Sequence, residues 1–332
     1  MKAVIMAGGY ATRLWPITKT RPKPLLPLGK EKIIDHIYKK IKKFDLDVVI
    51  STNKRFENTF RDWALGKNVK MIVEETYKEE EKLGAVRALF EVSKKINDDV
   101  LVIAGDNVFS FDIDPLLDLY NEVNSPVIAL YDVGDTELAK RYGTVEINGQ
   151  KIKSFHEKPE KPKSTLVGIG IYAFPKNIGS LLEEYIKTNS KHDNLGDFIS
   201  WLCKKVSVFG YIFDGIWYDV GSPDSYIEAF RSFSSHSVSE DVKIDRVSKI
   251  VEPVIIESDV VIKGRSIIGP YTYIGSGSLI ENSDVSDSII FNSVVLRRAR
   301  IWRSIIDEDC EIRNLELSSS IVGGHAKIQR GD

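Results

Sequence analysis

From residue 1 to about 235, short apolar runs alternate with stretches in which apolar residues recur every third or fourth position. The runs "KAVIMA", "DVVIST", "VKMIVE", "DVLVIAGD" and "PVIALYDV" read as strands, because continuous aliphatic segments suit a sheet covered on both faces. "IIDHIYKKIKKF", "FENTFRDWAL" and "GAVRALFEVSKKI" carry one apolar face each and read as helices crossing over a parallel sheet. The order predicts an α/β fold, doubly wound on a mixed, mostly parallel sheet. Residues 143–174 break the rhythm: apolar and polar residues alternate around an Asn-Gly pair, which predicts a hairpin insertion. Helices resume at "NIGSLLEEYI" and "LGDFISWLCKK".

The last third follows another period. Ile244, Ile250, Ile256, Ile262, Ile268, Ile274 and Ile280 fall at every sixth residue, with small or β-branched residues two positions earlier, among them Val242, Ser248, Val254 and Ser266. After a break the phase resumes at Ile289, Val295 and Ile301, then Ile306 with Ile312 and Val322 with Ile328. A period of six keeps no single face of a 3.6-residue helix, and simple alternation does not single out every third inward position. It fits a parallel β-helix whose short faces each bury one aliphatic residue, about five coils of about eighteen residues. Two domains follow: residues 1–235, and a β-helix over residues 236–332.

Composition narrows the function. The 332 residues include 46 basic and 48 acidic side chains, a formal net charge of −2, so binding nucleic acid or an anionic membrane by bulk electrostatics is not expected. No apolar run approaches the roughly 20 residues of a bilayer span, and the first strand begins without a leader pattern, so a cytoplasmic protein is expected. Cys203 and Cys310 have neither metal-ligand spacing nor disulfide density and receive no chemistry.

Candidate chemistry begins where the first strand ends. In "MAGGYATRLWPITKTRPKPLLP", Gly8 and Gly9 leave the strand at the edge where open α/β folds bind ligands, and a backbone without Cβ atoms can approach a ligand closely. The segment then delivers cations, Arg13 and Lys23 among them, between prolines that stiffen it; a fixed guanidinium fork and a mobile ammonium together can neutralise a polyphosphate. Neither the dinucleotide fingerprint nor the Gly-Lys-Ser/Thr loop of common NTPases is present. Asp106 follows the strand "DVLVIAG" and Asp219 lies in "WYDVGSP"; two carboxylates converging on phosphates can hold Mg²⁺, while an isolated aspartate in such a place is more often a turn or cap residue.

The loop "AGGYATRLWPITKTRPKPLLP" resembles that of the sugar-1-phosphate nucleotidylyltransferases, which include glucose-1-phosphate thymidylyl- and uridylyltransferases and mannose-1-phosphate guanylyltransferases. The likeness continues through "AGDN", "FHEKPEKPKS", "GIGIYAF" and "WYDVGSPDSY", covering nearly the whole chain, and a hexapeptide tail forming a left-handed β-helix occurs in several branches. One departure is Ala11, where many members carry a further glycine.

The resemblance implies a Rossmann-like nucleotidyltransferase fold and transfer of a nucleotidyl group from a nucleoside triphosphate to a hexose-1-phosphate, releasing pyrophosphate. It implies that Ala7, Gly8 and Gly9 receive the nucleotide and that Arg13 and Lys23 act on its phosphates. It further assigns Asp106 and Asp219 to Mg²⁺, Glu157, Lys158 and Gly143 to the sugar phosphate, and Gly84 to the base. A Glu79 that reached the base would favour guanine, whose two donors suit a carboxylate; a solvated face is the simpler reading of three consecutive glutamates. The tail looks most like the long thymidylyltransferases, so glucose-1-phosphate with dTTP or UTP is expected first and mannose-1-phosphate guanylyl transfer second. A bifunctional nucleotidyl and acetyl transferase and a non-catalytic regulatory subunit are the further alternatives. The exposed edges of a β-helix predict a homo-oligomer.

Overall fold

The computed structural model describes residues 1–190 and 193–330. The chain divides into two compact units, Met1–Tyr10 with Ile34–Asp219 and Ala11–Ile33 with Val220–Asp332.

In chain order the elements up to the tail are β1 (Lys2–Met6), β2 (Pro27–Leu28), β3 (Glu31–Lys32), α1 (Ile33–Lys42), β4 (Val48–Asn53), α2 (Glu57–Ala64), β5 (Val69–Glu74), α3 (Ala85–Lys95), β6 (Val100–Ala104) and β7 (Asn107–Phe109). They continue with α4 (Asp114–Val123), β8 (Val127–Asp132), α5 (Thr136–Ala139), β9 (Gly143–Asn148), β10 (Lys151–Glu157), β11 (Leu166–Phe174), α6 (Ile178–Thr188), α7 (Leu195–Leu202), β12 (Phe209–Phe213), β13 (Trp217–Asp219) and α8 (Pro223–Phe233).

The first unit is built on a nine-stranded sheet in the order β5-β4-β1-β6-β11-β8-β12-β10-β9. β5, β4, β1 and β6 are parallel neighbours, as the near-continuous aliphatic runs predict, while β11 runs antiparallel between β6 and β8. Val4, Val102, Ile128 and Phe174 on the strands pack with Leu89 of α3, Leu182 of α6 and Phe198 of α7 in one core from which water is excluded. The hairpin predicted at residues 143–174 is present: Asn148 pairs with Lys151 around a two-residue turn, with Gly149 at φ 58°. A short ladder not legible in the sequence pairs β7 with β13, residues more than a hundred positions apart.

In the second unit the tail winds into a left-handed parallel β-helix, whose three faces are sheets of six, six and five strands among the described residues. These strands make between five and six coils, where the sequence indicated about five. The first coils step by six, with Ile244 beside Ile262 and Ile280 on one face. From Ile280 the steps shorten to five at two corners in three, so the inward column continues through Val285, Ile290, Leu296, Ile301, Ile306 and Ile312. The inward residues after the break are therefore Ile290 and Leu296, where the hexad count pointed to Ile289 and Val295. The small residues two positions earlier have a second use, since the backbone N–H groups of Ser283, Ala299 and Ser304 donate to the hydroxyl oxygens of Ser266, Ser283 and Ser288 one coil below, each at 3.0 Å. A buried N–H is thereby satisfied where a larger side chain would not fit.

The units do not follow the chain's linear division at residue 235. Helix α8 belongs with the coils, its Phe230 ring 6.3 Å from Tyr273, and so does the segment from Ala11 to Ile33.

Candidate active site

Met6 and Ala104 are partners at the ends of the parallel pair β1 and β6, and two residues beyond them the chain reaches Gly8 on one strand and Asp106 on the other. Ala7 is held by its N–H donating to Ser51 O at 2.7 Å, and Gly8 by Asn53 Nδ2 donating to its carbonyl at 3.0 Å. A Cβ at Gly9 would meet nothing within 4 Å, so this backbone faces open space.

A Cβ on Gly8 would stand 3.4 Å from Oε1 of Glu74, a residue that sequence reasoning passed over. Glu74 ends β5 with 8% of its surface exposed, and burial raises its carboxyl pKa, an effect the Leu83 N–H partly offsets. Its signal in the sequence was a glutamate closing an apolar parallel strand. Next to it Tyr10 donates from its hydroxyl to Thr76 Oγ1 at 3.2 Å. Glu79 sits in a 3₁₀ turn, Glu79–Glu81, partly exposed, with Lys82 Nζ 2.7 Å from its carboxylate. Gly84 precedes α3 at φ 81°, in the left-handed region where glycine is unstrained.

Asp106 occupies the turn between β6 and β7. Pairing of β7 with β13 sets Asp219 opposite Asn107, the next residue after Asp106, so one short ladder brings the two aspartates to neighbouring positions. The Asn107 side chain ties this ladder together: Trp217 Nε1 donates to its oxygen at 2.7 Å, and its nitrogen donates to Asp106 Oδ1 at 3.3 Å. Among the described residues no group of three or more His, Cys, Asp and Glu side chains is gathered to hold a metal by itself, so the two aspartates offer hard oxygen donors only of the kind that a cation shares with phosphate and water. That donor set fits Mg²⁺.

Glu157 ends β10 directly opposite Gly143 of β9. A Cβ at Gly143 would lie 3.0 Å from Glu157 Oε2, and one at Gly196, in the first turn of α7, would lie 1.8 Å from it. The carboxylate thus rests on two glycine backbones, and the sequence offered no reason to connect Gly196 with it. Burial raises the Glu157 pKa; Lys158, 3.6 Å away, pulls it down and Asp197 pushes it up. Lys158 has φ 44°, a left-handed conformation rare for a lysine, and its N–H donates to Tyr142 O at 3.0 Å. Burial holds the phenol of Tyr172 well above its ordinary pKa, with the charges of Glu157 and Asp106 acting in the same direction.

Arg13 and Lys23 lie in the second unit, each in a three-residue 3₁₀ turn, Thr12–Leu14 and Lys23–Leu25. Leu14, Ile17, Leu25 and Leu26 are buried and anchor the segment. Ala11, which opens it, has φ 50° and ψ 45°. This left-handed conformation suits glycine best, so the alanine here is held with strain.

A family model described as "Nucleotidyl transferase" matches residues 2–236. The chain is 31% identical over 267 residues to the bifunctional protein GlmU of Methanococcus maripaludis, spanning 79% of this chain and 62% of that protein's length. It is 29% identical over 338 residues to a glucose-1-phosphate adenylyltransferase of Mycoplasma mobile, spanning 93% of this chain and 84% of the other. Among solved structures, UDP-glucose pyrophosphorylase complexed with UDP-glucose superposes with a TM-score of 0.61 at 25% identity, over 70% of this chain and 97% of that one. Among the described residues, no helix is long and apolar enough to cross a membrane. Glycines and an aspartate emerging from adjacent parallel strands, a fold shared with a sugar-nucleotide enzyme and a family match over most of its length together establish that the chain belongs to the nucleotidyl transferase family.

Proposed function

We propose that the protein joins a nucleoside triphosphate to a hexose-1-phosphate, forming an NDP-sugar and pyrophosphate. The observation that carries this reading is the register of β1 on β6, which sends the glycine loop and Asp106 from neighbouring strand ends. The hexose phosphate oxygen attacks the α-phosphorus, the bond to the β-phosphate oxygen breaks, and pyrophosphate leaves with its electron pair. The nucleophile is already anionic, so positioning and charge neutralisation are the demands on the protein. Asp106 and Asp219 would hold Mg²⁺, which supplies positive charge for phosphate oxygens when bound. Arg13 and Lys23 contribute further positive charge to the phosphates, Glu157 accepts hydrogen bonds from sugar hydroxyls, and Lys158 faces the sugar phosphate.

Glucose-1-phosphate with UTP or dTTP is the first reading of the substrates, supported by the fold neighbour bound to UDP-glucose. Glu74 favours a second. A buried carboxylate beside Gly8 suits the two adjacent donors of guanine, whereas uracil and thymine flank their one N–H with oxygens that repel it. Pyrophosphate release measured with dTTP, UTP, GTP and ATP against glucose- and mannose-1-phosphate separates these readings. No release from any pair rejects the proposal. A GlmU-like acetyl transfer is tested in the same series by acetyl-CoA consumption with a glucosamine phosphate acceptor.

A further inference from the structure

Phe291, Asp307 and Gly323 each follow a strand of one β-helix face, Ile289–Ile290, Ile305–Ile306 and Ile321–Val322, and stack at one corner of successive coils. Backbone bonds fix the stack: Phe291 N–H donates to Ile306 O at 2.9 Å and Asp307 N–H to Val322 O at 3.0 Å. The segment carrying Arg13 and Lys23 lies along this column. Arg21 places its guanidinium 4.3 Å over the Phe291 ring and its Nη2 2.8 Å from Asp307 Oδ1 and 3.0 Å from Glu308 Oε2. Pro16 sits so close to Gly323 that a Cβ there would be 2.9 Å from Pro16 Cγ.

The ion pair is a built feature rather than a surface contact. The Asp307 side chain is 5% exposed and that of Arg21 15%, so removing one partner leaves the other's charge with little water to solvate it. Arg21 also lies between the two 3₁₀ turns that present Arg13 and Lys23. A guanidinium held by a carboxylate on one side and an aromatic face on the other has little rotational freedom, and the backbone bearing it inherits that restriction. Arg21 is a further cation of this segment, yet the proposed reaction leaves it without a part.

We propose that Arg21 and Asp307 are positioning residues for nucleotidyl transfer, through which the β-helix sets the conformation of the loop bearing Arg13 and Lys23. This inference rests on the reading of the protein as a hexose-1-phosphate nucleotidylyltransferase, and it gives the β-helix a part in catalysis.

The test is a double-mutant cycle in the full chain with Arg21→Ala, Asp307→Asn and both together, and with Arg21→Lys as the mildest variant. Each single substitution is expected to lower kcat at least tenfold and to raise KM for the nucleoside triphosphate. KM for the hexose-1-phosphate should stay within twofold, and the double variant should be no worse than the more damaged single one. Melting curves should show every variant folded at the assay temperature, with Arg21→Lys intermediate in kcat. Unchanged kinetics in the folded single variants overturns the proposal. So does a loss that strikes both substrates equally and tracks the folded fraction. A wild-type chain that releases no pyrophosphate from any nucleotide and sugar pair brings down the parent reading as well, whereas wild-type turnover with unaffected variants overturns this inference alone.

Discussion

Asn107 and Asp219 face each other across the short antiparallel ladder of β7 and β13, and this pairing brings Asp219 next to Asp106 across more than a hundred residues of chain. If the two carboxylates hold the metal, either Asp106→Asn or Asp219→Asn should lower kcat by about 100-fold or more, the scale of losing one well-placed electrostatic group. The amide keeps the shape of the side chain, so the melting temperature should hardly move. Kinetics with and without added Mg²⁺, alongside thermal melts, check both halves.

Glu74 makes stability depend on pH with a definite sign. Burial lifts its carboxyl above the ordinary value of 4.5, so the folded chain binds this proton more tightly than the unfolded chain does. Stability from this group is therefore greatest below about pH 4.5 and falls as pH rises through the elevated folded value. Glu74→Gln removes the penalty: the variant should melt above the parent at about pH 7, and the difference should vanish near about pH 4. A constant difference across that window would show that ionisation of Glu74 is not its source. The same variant should shift nucleotide preference away from GTP if Glu74 reads the base.

A Cβ on Gly196 would stand 1.8 Å from Oε2 of Glu157, so a methyl group there would occupy its place. Gly196→Ala should push the carboxylate aside by about 1 Å and lower kcat/KM for the hexose-1-phosphate by roughly 100-fold. Nucleotide affinity, measured by equilibrium titration, should be unaffected because Glu74 and Gly8 belong to other strand ends.

Ala11 carries a Cβ in the left-handed region, which costs about 1–2 kcal/mol relative to ordinary backbone. Glycine removes that strain and returns part of the gain as unfolded-state entropy. Ala11→Gly should thus raise stability by up to about 1 kcal/mol. It would be read as a higher denaturant midpoint with an unchanged slope, and a lower midpoint would refute the strain argument.

By itself the sequence determined everything that repeats along the chain. Aliphatic runs separated by one-faced helices specified the parallel half of the sheet, the Asn-Gly pair its hairpin, and the sixfold spacing of isoleucine the β-helix, because each follows from backbone geometry over a few residues. Even there the shortening of the coils after Ile280 shifted the inward column by one residue, since a corner can lose a residue without any change in composition. Only the tertiary structure decided which distant side chains meet: Asp219 beside Asp106, Glu74 against Gly8, Gly196 under Glu157, and Arg21 on Asp307. These meetings depend on strand register and on which coil lies beside which loop. Such contacts join segments tens to hundreds of residues apart, and no local period records them.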